Sequence, residues 1–146
     1  MSNLKTFTEI FNEVDAAKGN AEKIAVLHKN SSKQFKEILG LIYNPKVKWK
    51  VPEGTPPYTL PQEDENLLRG RIYQEMKRLS YFTNLSPYPD MKKRKLESMF
   101  IDMLQTIHPA DAKLLCHAKD ARTVPQKSVT KKLIEEAFPL LAEKWK

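Results

Sequence analysis

Apolar residues in this chain recur at helical spacing in short bursts, and a breaker ends each burst. That punctuation excludes long helices and leaves little room for a sheet. Leu4, Phe7, Ile10, Phe11 and Val14 form the first stripe. Ser2 or Asn3 is placed to cap its start and Gly19 to end it. Asn20 reads as the cap of a second helix, Ala21 to Lys29, with Ile24, Ala25 and Leu27 apolar. After the turn Asn30-Ser31-Ser32 comes a third stripe of Phe35, Ile38, Leu39, Leu41, Ile42 and Tyr43, closed by Asn44-Pro45.

One stretch breaks the pattern. In Lys46-Val47-Lys48-Trp49-Lys50-Val51 cations and apolar residues alternate, the period of an extended segment. Five prolines and glycines between 52 and 61 then predict an irregular loop. Helical spacing resumes with Leu67, Leu68, Ile72, Met76 and Leu79, opened by Gln62-Glu63-Asp64-Glu65. Tyr81 and Phe82 extend its end, and Pro87-Tyr88-Pro89-Asp90 reads as a rigid connector.

The last third reads as three helices. Leu96, Met99, Phe100, Met103, Leu104 and Ile107 share one face, and His108-Pro109 breaks that helix. Ala112 to Lys119 follows with Leu114 and Leu115 inward. Ser128 is the expected N-cap of a helix from Val129 to Phe138, which Pro139 stops. The prediction is one all-α domain over 1–146, a compact bundle of six or seven short helices. A minor β pair near residues 46–60 is the one extended pairing the pattern allows. Phe100, Leu104, Leu41, Phe35 and Ile10 should lie among the most buried residues.

Lys and Arg number 25 against 18 Asp and Glu, a formal charge of +7. Such a balance favours a nucleic acid, an acidic protein or an anionic surface as partner. Cys116 is the single cysteine, which removes intramolecular disulfides and cysteine-based zinc sites. No apolar run is long enough to span a membrane, and none follows the N-terminus as a leader would. The expectation is a soluble cytoplasmic protein with no membrane partner.

The residues of a reaction are not assembled. His28, His108 and His117 lack ligand-grade partners at helical spacing, and the pair His117 and Asp120 reads as a surface pair. The four glycines are isolated, so no glycine-rich phosphate loop occurs. Cys116 and His117 are helix neighbours that point apart, which makes Cys116 a packed thiol. The expectation is a protein that is not an enzyme and needs no metal and no cofactor.

Four cation groups remain. Lys46, Lys48 and Lys50 flank Trp49, itself read as core. Arg69 and Arg71 straddle Gly70, where a ligand backbone could come close. Lys92, Lys93 and Arg94, with Lys95, open a helix. Lys127, Lys131 and Lys132 surround Ser128. Any one alone reads as a solvated face. Together, placed at helix ends and joints, they suit a phosphate backbone.

Gly19 to Asn30, followed by Phe35, Ile38, Leu41, Ile42 and Tyr43-Asn44-Pro45, resembles the N-terminal helical DNA-binding domain of T-even-phage ATP-dependent DNA ligases. Asp111-Ala112-Lys113-Leu114-Leu115 is similar to that domain's acid-led helix. Ser128-Val129 with Lys132, Ala137, Phe138, Pro139 and Leu141 is similar to its close. The likeness spans most of the chain through short motifs. It implies an all-helical module that grips duplex DNA through backbone contacts. Two departures stand out. Gln126 replaces the family's glycine before the matching serine, and no Lys-x-Asp-Gly occurs, so no lysine is assigned to adenylation. The resemblance therefore implies a non-catalytic, phage-type relative working in the host cytoplasm. Two other readings stand beside it. One is a protein-interaction module (phage adaptor, virion component or inhibitor of a host enzyme) whose basic face meets an acidic partner. The other is the DNA-binding subunit of a split ligase.

Overall fold

The computed structural model describes residues 5–146. Ser2, Asn3 and Leu4, expected at the first helix start, lie outside them. The order is α1 (Phe7–Ala16), α2 (Gly19–Lys29), α3 (Lys33–Tyr43), α4 (Glu65–Leu68), α5 (Arg71–Leu79), a 3₁₀ turn (Ser80–Phe82), α6 (Lys93–Leu104), α7 (Pro109–Ala121), α8 (Lys131–Ala137) and α9 (Pro139–Glu143). The all-α expectation holds, but the described residues form nine α-helices rather than six or seven.

The extra helices come from two breaks that periodicity does not reveal. Arg69-Gly70 splits the expected fourth helix, and Leu67, expected inside, is exposed. Pro139 stops α8 as expected, with Phe138 as the C-cap, but it also starts a new helix, because its fixed φ and missing N–H suit a first helical position. No named strand forms among the described residues. The 46–51 segment makes one isolated antiparallel bridge, Trp49 to Thr83, instead of a pair within 46–60. Its alternation shows in burial only over 46–48, where Val47 is buried and Lys46 and Lys48 are exposed, while Trp49, Lys50 and Val51 are all half-buried.

Helix caps also differ from expectation. Thr6 starts α1, accepting from the Glu9 amide, while the Glu9 side chain closes the capping box. Gly19 does not end α1. It takes a φ of 81° at the start of α2, a left-handed value that favours glycine. Asn20 therefore lies inside α2, whose cap position is Lys18. Thr130, not Ser128, caps α8 by accepting from the Leu133 amide.

The apolar faces close on one core. Phe100, Leu104, Leu41, Phe35 and Ile10 are all buried as expected. Phe35 joins the first and third helices, with ring centroids 5.8 Å from Phe7 and 5.4 Å from Phe11. Phe82 meets Phe100 edge-on at 5.2 Å. Such pairs contribute about 0.5–1.5 kcal/mol beyond area burial.

Four charged side chains bind backbone at the joints. Asp111, fully buried on α7, accepts from the amides of Phe7 (3.3 Å) and Thr8 (3.0 Å) and from the Thr8 hydroxyl (2.9 Å). It thereby satisfies free N–H groups at the start of α1. Burial pushes its carboxyl above the ordinary aspartate range, and the three donors pull the other way. Arg122, just past α7, donates to the carbonyls of Ile42 (3.0 Å) and Asn44 (2.7 Å) at the end of α3 and to that of Val47 (2.6 Å) in the segment that follows. It sits at φ 59°, a conformation that costs a non-glycine residue about 1–2 kcal/mol. Three charge-assisted bonds offset that strain. Lys119, also buried, donates to the carbonyls of Pro52 and Gly54 (both 2.8 Å) and pins the proline-rich loop over α7. Lys23 donates to the carbonyls of Val14 (3.0 Å), Asp15 (3.2 Å) and Ala17 (2.8 Å), closing the end of α1. With α7 fixed to α1 and α3, its outward face is a rigid platform.

Candidate nucleic-acid interface

The four cation groups meet different fates. Arg69 pairs with Glu9 at 2.6 Å and Arg71 with Glu63 at 2.7 Å. Burial pushes the Glu9 carboxyl up, but the Thr6 amide and the Arg69 guanidinium outweigh it and hold it below the usual range. Gly70 is right-handed helical, so its conformational freedom is not used. These two arginines are each paired with a carboxylate within the fold.

Lys46, Lys48 and Lys50 ride on a stapled segment. Lys50 N donates to Phe82 O at 2.7 Å and Asn84 N to Lys48 O at 2.9 Å. The Asn84 side chain bonds Lys46 O and Lys48 N, both at 2.9 Å. Lys46 reaches a main-chain oxygen of Lys146. Trp49 is half-buried and donates its indole N–H to Leu41 O at 3.1 Å, which fixes it as a packing residue.

Lys92, Lys93 and Arg94 are exposed where α6 begins. That helix has no acid in its first turn and no side-chain cap. Cations there oppose the helix dipole by about 0.3–1 kcal/mol each, so stability of the helix does not account for them.

The fourth group contains a cavity. Lys127 and Lys131 line about 530 Å³ of open space together with Tyr43, His117, Arg122 and Thr123. No carboxylate lines it. Neither lysine forms an ion pair among the described residues. His117 also lines two neighbouring cavities with Lys113, so the basic lining continues along the outer face of α7. Asp120 enters only the one beside Tyr58, where its carboxylate already binds Lys119 (2.8 Å) and the Gly54 amide (2.9 Å).

Lys132 and Ser128 are outside that lining. The Ser128 hydroxyl donates to Asp15 at 2.5 Å and accepts from Lys23 at 3.1 Å. Those bonds from the Ser128 hydroxyl and amide, with Lys23 nearby, hold the Asp15 carboxyl below its ordinary value. Gln126, in the place of the ligase-type glycine, donates to Asn12 at 2.8 Å. Ser128 and Gln126 thus tie the 124–130 loop to α1.

Sequence reasoning missed Lys113, His117 and Arg122. The first two stand one turn apart on α7, and that i, i+4 spacing beside the basic loop was the available signal. Arg122 offered none, because its three partners lie far away in the chain. Cys116 is buried as expected, and burial pushes its thiol pKa up, away from reactivity. Among the described residues no three His, Cys, Asp or Glu side chains group as metal ligands, and no helix is long and apolar enough to cross a membrane.

The profile of a family of unknown function, DUF6433, matches residues 10–124. No curated protein matches the chain. No solved structure matches it. The matched stretch holds Lys113, His117 and Arg122 and stops before Lys127.

Proposed function

The chain belongs to DUF6433, a family of unknown function, and we propose that it binds duplex DNA through the phosphate backbone without catalysing a reaction. The observation that carries this reading is the carboxylate-free cavity lined by Lys127, Lys131, His117 and Arg122. Unpaired ammonium groups on a rigid wall are suited to phosphates, which need charge and position rather than base-edge readout. The Arg122 guanidinium is committed to three carbonyls, so it lends charge while the lysines make the contacts. The overall charge of +7 adds long-range attraction. The exposed cations at the start of α6 are the next candidate contacts. The likeness to the DNA-binding domain of T-even-phage ligases points the same way.

The test is fluorescence anisotropy with nicked and intact duplex at two salt concentrations. Binding is expected at low salt and should fall steeply at moderate salt as released counterions lose their drive. Lys127→Glu with Lys131→Glu should abolish it while leaving the circular dichroism spectrum unchanged. An affinity indifferent to that double reversal would refute the reading.

A further inference from the structure

On another part of the surface, α3, α5 and α9 leave an open trough of about 540 Å³ between them. Leu41, Met76 and Leu141 are in its floor, and Leu85 and Pro87 in its wall. A second cavity of about 310 Å³ shares Lys36 and Leu141 with it and runs on past Phe138 and Leu140. Leu85 is 55 % and Leu140 83 % exposed. Contiguous apolar surface of this kind usually marks a contact site.

The rim is basic. Lys36 borders both cavities, Lys77 the first and Lys144 the second, against one carboxylate, Glu37. None of the three lysines forms an ion pair among the described residues. Gly40 opens the floor further. It lies inside α3, where glycine weakens a helix. A Cβ there would meet nothing nearer than Trp145 Nε1 at 3.9 Å, so packing does not require the glycine. Leaving that position bare widens the trough.

We propose that this trough docks an acidic segment of a partner protein, with apolar anchors on one face and carboxylates flanking them. An amphipathic helix laid along a groove has this chemistry, and its acids would meet Lys36, Lys77 and Lys144. A second copy of the chain is a poor occupant. A two-fold contact would set the same three lysines against themselves. Duplex DNA is also a poor occupant, because an apolar floor gives nothing to phosphates. The proposal uses none of the residues of the DNA reading, so either stands or falls alone.

The experiment is selection from a displayed library of random helical peptides of about 16 residues, roughly four turns, on the immobilised full chain. Enriched peptides should combine Leu, Phe or Met at helical spacing with an excess of Asp and Glu. Synthetic copies should bind wild type and lose binding to Leu85→Asp. Lys36→Glu with Lys77→Glu should weaken them about tenfold, the sum of two reversed surface pairs. All three positions border solvent, and matching thermal melts would verify the fold. The salt slope of nicked-duplex affinity should not change in either variant, because neither removes a phosphate contact. No enrichment, enrichment of neutral or basic peptides, or binding indifferent to both variants would overturn the proposal. A concentration-dependent dimer abolished by Leu85→Asp would overturn it in favour of a second copy. Loss of duplex binding in the lysine reversal would overturn it in favour of nucleic acid.

Discussion

The two faces of α7 carry charge for opposite ends. On the inner side Asp111 and Lys119 are buried and spend their hydrogen bonds on backbone groups far away in the chain. On the outer side His117 lines open space with Lys127 and Lys131, and Lys113 lines the adjoining cavity. Burial makes the difference. A charge removed from water must be fully bonded, or the fold loses several kcal/mol. A charge at the surface contributes almost nothing to stability, so its placement is free to serve a ligand. Inner changes should therefore move the melting curve and outer ones the binding curve.

The largest effect is expected from Asp111→Ala. It leaves the amides of Phe7 and Thr8 and one hydroxyl without their acceptor, and each buried orphan costs about 1–3 kcal/mol. A loss of about 3–4 kcal/mol in urea unfolding is expected. A loss under about 1 kcal/mol would mean that water replaces the carboxylate and the α1–α7 joint is misjudged. Arg122→Ala comes next, at about 2–3 kcal/mol, since three charge-assisted bonds disappear and some left-handed strain remains. Arg122→Gly should recover part of that loss by relieving the strain, and an equal loss in both would remove strain from the account.

Much of the fold was legible because its signal is local. A helical stripe needs only the spacing of Phe35, Ile38, Leu39 and Ile42, and that spacing survives in the structure. What was not legible depends on partners far along the chain. Ser128 and Thr130 are both good caps by type, and only the arrival of Asp15 and Lys23 at Ser128 decides between them. The break at Arg69-Gly70 leaves the apolar period almost intact, so Leu67 looked buried. For the site, the cation groups were visible but their state was not. Arg69 and Lys131 look alike in sequence until Glu9 is found 2.6 Å from the first and no ion pair is found for the second among the described residues.

Two smaller effects sharpen the contrast. Gly40→Ala should stabilise the protein by about 0.5–1 kcal/mol, because helix propensity improves and a Cβ fits. A destabilised variant would show that packing does require the glycine, and would remove it from the docking argument. The smallest effect concerns Asp15. Its folded-state pKa is depressed, so its contribution is present above the ordinary aspartate value of about 3.9. The contribution fades as pH falls through the lower folded value. Asp15→Asn should flatten that acid limb slightly, and an unchanged pH profile of the melting temperature would show the Ser128 tie to be idle.

The salt dependence of duplex affinity in two single variants tests directly whether the cavity lined by Lys127 and Lys131 holds phosphates. Lys131→Ala removes a cation that lines the cavity, and Lys132→Ala removes its neighbour outside it. Lys131→Ala should lower the slope of log affinity against log salt by about one unit, with affinity falling alike on all sequences. Lys132→Ala should leave the slope close to wild type. Equal slopes in wild type and Lys131→Ala, or a larger loss from Lys132→Ala, would contradict the assignment of this cavity to DNA.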